Sequence, residues 1–181
     1  MKVNTTITEA LAELKTLDKK IESSKKFVMD YSVRQGTTID PLDDEGGSDK
    51  VIPQKMQSID NLLERKIAIR KAINASNQNA VVEINKVKRT VEEWLIWKRD
   101  VYQKEMAFLE SLQRKIVDAR SQCVAKGMTL RDDGGQPSKV TEVSSFIKES
   151  NLQRRIEETR EIYGVLDGKL SLFNATTTIL I

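Results

Sequence analysis

Ile7, Leu14, Ile21 and Val28 stand seven residues apart, and Ala10, Leu17, Ser24 and Tyr31 each follow three residues later. This repeat confines the segment to a helix with one narrow apolar seam, which water disfavours until a second helix covers it. Such a helix requires a partner, within the chain or outside it.

Seams of the same kind recur. Thr6 and Glu9 have the spacing of a capping box, which starts the first helix and carries it to about Arg34, before Gly36. Residues 36–52 hold Pro41, the pair Gly46 and Gly47, and the acids Asp40, Asp43, Asp44, Glu45 and Asp49, which predicts an acidic loop too polar to fold alone. Pro53 suits the first turn of a second helix reaching Ser76, with Met56, Ile59, Leu62, Ile69 and Ile73 at helical spacing. Val81, Val82 and Ile84 fit either a short strand or an early start to the next helix.

Thr90 and Glu93 repeat the capping spacing, and Val91, Leu95, Tyr102, Met106, Leu109 and Ile116 keep one face apolar through Cys123 towards Gly127. That is a rod of roughly 50 Å. A turn follows at 127–138, then a helical stretch from Val140 to Phe146 that breaks near Ser150. Beyond it Ile156, Tyr163 and Leu170 stand seven apart, with Thr159, Leu166 and Phe173 between them. Gly164 and Gly168 weaken that helix by about 1 kcal/mol each relative to alanine, so packing or close approach of a neighbouring backbone is expected to compensate. Residues 174–181 form an apolar tail. Together the seams predict an all-α fold: one domain over 1–181, an elongated antiparallel bundle or coiled coil of three to four long helices.

The chemistry available is narrow. The chain has no histidine, which removes the commonest general base, the usual partner of a Ser or Cys nucleophile, and the commonest zinc ligand. The acids of 36–52 lack the alternate-residue spacing of a calcium loop, and neither glycine pair lies in a phosphate-cradling motif. No catalytic residue, metal or cofactor is expected. Cys123, alone in the sequence, reads as a small core residue. A net charge of +3 and the short cluster Lys86, Lys88 and Arg89 do not amount to a nucleic-acid surface. No uncharged apolar run is long enough to span a membrane, and no leader is evident, so a cytoplasmic protein, or a virion component if phage-encoded, is expected.

The sequence points instead to protein partners. Only 5% of the chain is aromatic, yet Trp94, Leu95, Ile96 and Trp97 are consecutive and cover every side of a helix. Either that level is sandwiched within the bundle or it is a surface for self-association or a larger assembly, where Trp is favoured. Trp94, Ile96 and Trp97 are therefore candidate contacts, with Thr178, Ile179, Leu180 and Ile181 of the tail, which either packs across the bundle or docks on another subunit.

The order of Ile73-Asn74-Ala75-Ser76-Asn77, Thr90-Val91-Glu92-Glu93-Trp94-Leu95 with Lys98-Arg99-Asp100, and Leu166-Asp167-Gly168-Lys169-Leu170 with Asn174-Ala175-Thr176-Thr177 resembles the septicolysin-like family of small helical bacterial proteins. Ala175 replaces the aromatic residue more usual there, and the acidic loop looks like an insertion. The resemblance implies a helical hairpin architecture without catalytic residues. The function expected is a non-catalytic structural or interaction protein; the alternatives are a cytolysin-like membrane-acting factor and a metal- or nucleotide-dependent regulator.

Overall fold

The computed structural model describes residues 4–131 and 139–181. The chain is mostly helical with a few short strands. Its contacts group it into two compact units, Met1–Asn77 with Ser171–Ile181, and Gln78–Leu170.

In the first unit α1 (Ile7–Tyr31) begins with the expected capping box, Thr6 accepting from the Glu9 N–H and Glu9 accepting from the Thr6 N–H. Its seam buries Ile7, Ala10, Leu14 and Leu17 against Ile69 and Ile73 of α2 (Ser48–Asn79). Two ion pairs border the contact: the Arg65 guanidinium grips Glu13 at 2.9 Å and Lys66 reaches Asp18 at 2.5 Å. The tail packs here as well. β6 (Thr178–Leu180) lies antiparallel to β1 (Asn4–Thr6), and Ile179 enters the α1 core.

Helix α2 starts at Ser48, ahead of the Pro53 start that the sequence suggests. The acidic loop supplies the reason. The Asp40 carboxylate accepts from the Ser48 N–H at 2.8 Å, the Ser48 hydroxyl at 2.5 Å and the Leu42 N–H at 3.0 Å, so it satisfies an orphan donor of the new helix from eight residues away. Those bonds hold its carboxyl down at about 2, Ser48 contributing most and nearby Arg34 adding attraction. Gly46 and Gly47 turn the chain with φ of 102° and 93°, and a Cβ on Gly47 would stand 2.6 Å from an Asp49 oxygen. Leu42 and Val51 are buried by this turn. Residues 36–47 thus form a hydrogen-bonded loop.

In the second unit β2 (Val81–Ile84) and β3 (Val87–Thr90) make an antiparallel hairpin, which settles the segment in favour of strand. Asn85 and Lys86 both adopt positive φ, the geometry of a two-residue hairpin turn whose twist suits the strands. Thr90 then caps α3 (Val91–Ile96) by the same reciprocal bonds to Glu93. One π-helical turn, Trp97–Val101, joins α3 to α4 (Tyr102–Ala125). Gly127, with φ of 66°, ends α4, and the Met128 N–H returns to the Cys123 carbonyl at 2.8 Å.

The helix expected from Val140 to Phe146 is not formed. Glu142–Ser144 is instead a strand, β5, in parallel register with β4 (Thr129–Arg131), and Arg131 reaches Glu142 at 3.5 Å. The turn expected at 127–138 includes 132–138, which lie outside the described residues. Helix α5 (Glu149–Thr176) follows, and within this unit it buries Leu152, Ile156, Thr159, Leu166 and Leu170 at helical spacing. Its partner is α4: Leu152 and Ile156 pack with Met106, Leu109 and Ile116. Glu105 with Arg155, Glu110 with Arg160, Arg120 with Glu149 and a Gln113–Gln153 bond border that core. No close backbone compensates Gly164 and Gly168, because a Cβ added at either would meet nothing within 4 Å. Both glycines face open space.

Candidate interaction surface

The π turn decides what the aromatic belt presents. A π turn holds one residue more than an α turn, and here the Tyr102 N–H bonds the Trp97 carbonyl, five residues back. The seam Tyr102, Leu109, Ile116 and Cys123, followed back by sevens, would bury Leu95. The extra residue rotates α3 so that Trp94 is 1% exposed and Leu95 is 41% exposed. The position of Leu95 on the buried face is therefore corrected by one residue.

Trp94 and Trp97 are buried in their own unit and meet edge to face at 5.7 Å. The Trp94 indole N–H donates to the Val82 carbonyl at 2.9 Å, and Arg89 lies over its ring at 4.9 Å, so the hairpin locks this side chain in place. Trp97 continues to Tyr102 at 5.5 Å, and Tyr102 stacks on Tyr163 at 3.8 Å. The basic cluster has local roles: Lys86 forms the turn, Lys88 faces Glu83 at 3.6 Å, and Arg89 covers Trp94.

The charges of the π turn are also paired. A hydrogen bond from Lys98 to Asp167 at 2.5 Å raises the lysine above its ordinary value, and the Arg99–Asp100 pair raises the guanidinium and lowers the carboxyl. Of the residues expected to make contacts, Ile96, Thr178 and Leu180 are exposed, Ile181 is half-buried against the α1 core, and Trp94, Trp97 and Ile179 are buried.

A different surface emerges on the flank of α4. Val101 and Phe108 stand one heptad apart and are both exposed, Phe108 at 59%. Leu112, one turn beyond Phe108, opens a cleft with Ile116 and Ala119, which share its face by helical spacing. Leu130 and Val143, opposite each other in the parallel ladder, form the second wall. Phe146, 73% exposed, and Ile147 border it. The cleft has a volume of about 320 Å³. The sequence pattern does not reveal it because its walls come from α4, from Leu130 and from residues 143–147, and because the spacing from Val140 to Phe146 predicts a helix. The adjacent apolar pair Phe146-Ile147, flanked by serines and a lysine, was the available signal.

Among the described residues no group of three or more Cys, Asp or Glu could hold a metal ion, and no helix is long and apolar enough to cross a membrane. Cys123 is buried and unpaired with sulfur. No protein-family model, curated protein or solved structure matches the chain, so its residues and their geometry carry the functional argument.

Proposed function

We propose that this is a non-catalytic structural or interaction protein that self-associates or docks onto a larger assembly, a phage virion among its possible settings. The observation that supports it is the apolar flank of the second unit, where Phe146 and Ile147 are exposed at a recess and Phe108 is exposed one helical turn from Leu112 of its wall. Aromatic side chains next to a pocket are the anchors that interfaces use. Long helices packed as an antiparallel bundle serve as the frame in this reading. The septicolysin-like resemblance belongs to the same proposal, as a helical hairpin without catalytic residues.

Light scattering on the full chain tests it, wild type against the double variant Phe108→Asp with Phe146→Asp. The wild type is expected to form a defined oligomer and the variant to dissociate, with melting temperature little changed because both positions are exposed. A wild type that stays monomeric at every concentration removes self-association. Leakage of liposomes at submicromolar protein overturns the reading in favour of a membrane-acting factor.

A further inference from the structure

The cleft of the second unit has a lining that suits a smaller occupant than a protein. Its volume of about 320 Å³ falls at the low end of the roughly 300–1,000 Å³ typical of small-molecule sites. Folded interiors leave few voids larger than a water molecule. Space walled by Leu112, Ile116, Leu130 and Val143, with Phe146 and Ile147 open to solvent beside it, gains from being covered. Ala119 lines it with a single methyl, so a longer side chain at that position would reach into the space.

One charge decides what the occupant carries. Among the described residues Lys115 is the charged residue of the lining, no carboxylate lines the cleft, and none forms an ion pair with this lysine. A lysine stem can lie along apolar surface while its ammonium reaches the rim. The serines offer less: Ser145 bonds Ile147 through its hydroxyl, and the Ser144 hydroxyl is shielded from solvent without a partner. Recognition therefore rests on apolar wall plus one cation.

We propose that the cleft binds a small amphiphile with an aliphatic body and one carboxylate, a medium-chain fatty acid being the simplest member. The chain lies against Leu112, Ile116, Ala119, Leu130 and Val143, and the carboxylate meets Lys115. This site goes beyond the docking role and stands without it, because a monomer can bind such a ligand.

Isothermal titration of the full chain with decanoate below its micelle concentration, compared with decanol, tests the assignment. Decanoate should bind saturably with one site per chain, and decanol about two- to fivefold more weakly, the range expected of one exposed ion pair. Lys115→Met should remove that preference while keeping both ligands. Ala119→Leu and Ala119→Trp should abolish both; a melting curve checks that each variant is folded, and the leucine variant decides if the tryptophan one is not. Absence of saturable decanoate binding overturns the proposal, as does equal affinity for decanoate and decanol, or unchanged binding in the folded Ala119 variants.

Discussion

Helix α1 and the helical run from Val91 to Ala125 carry the same kind of seven-residue seam and obey it differently. In α1 Ile7, Leu14 and Ile21 are buried as the repeat requires, and Val28 near the helix end is half-buried. In the later run the repeat holds from Tyr102 to Cys123 and fails before it, where Trp94 takes the core position that Leu95 would have had. The π turn inserts one residue, and each residue of helix turns the chain by about 100°. A hydrophobic period identifies a buried face only along one unbroken hydrogen-bond ladder. The four apolar residues at 94–97 supply side chains for both registers, and the hairpin selects one through the bond from Trp94 to Val82.

Deleting single residues breaks this comparison most severely. Removing Ser111, within regular α4, rotates Leu112 and Ile116 away from Met106 and Leu109, and loss of cooperative unfolding is expected. Removing Arg99 instead converts the π turn to an α turn, which leaves Trp94 seven residues from Tyr102 and the seam in phase. That variant should keep its helical circular dichroism and a cooperative melt.

Next in size are truncations at the disputed level. Trp94→Ala should cost about 3–5 kcal/mol by urea denaturation, and Leu14→Ala in α1 about 2–5 kcal/mol. Leu95→Ala should stay within about 0.5 kcal/mol, as expected for an exposed position. A large loss at Leu95 with a small one at Trp94 would restore the simple heptad.

The loop before α2 sharpens the contrast from the other unit. The Asp40 carboxyl sits at about 2 in the fold against 3.8 unfolded, mainly through the bonds from Ser48. A depressed carboxyl stabilises fully above the unfolded value, and the contribution disappears as pH falls from there through about 2. Urea midpoints of wild type and Asp40→Asn should therefore differ most above pH 4 and converge as the acid is protonated. A constant gap across that window would remove Asp40 from its role in starting α2.

The smallest effects expected are gains. Gly164→Ala and Gly168→Ala in α5 place a methyl in open space, so each should stabilise by about 1 kcal/mol through helix propensity. A loss at either position, read as a lower melting temperature, would show that the glycine is needed for close approach after all.

Much of the fold was legible because its signals are local. The capping boxes Thr6–Glu9 and Thr90–Glu93 lie three residues apart, and the seams of α1, α4 and α5 repeat within a few turns. What escaped is carried by contacts distant in sequence. Pro53 read as a helix start because the bond from Ser48 to Asp40 spans a loop. Val140 to Phe146 read as helix because its strand partner is Thr129–Arg131. The candidate site was less legible than the fold: the apolar belt and tail were visible, but the cleft assembles from segments that no periodicity connects.

Sequence alone determined that this chain is mostly helical, that helices begin after Thr6 and Thr90, and that the seam of Ile7, Leu14 and Ile21 must be covered. These follow from backbone capping and from the 3.6-residue period, which act over single turns. Tertiary structure decided which of Trp94 and Leu95 is core, that Ile179 packs into the core of the first unit, and that α4, Leu130 and residues 143–147 wall a cleft. Those outcomes depend on volumes and hydrogen-bond partners supplied by other segments, and a one-dimensional pattern contains neither.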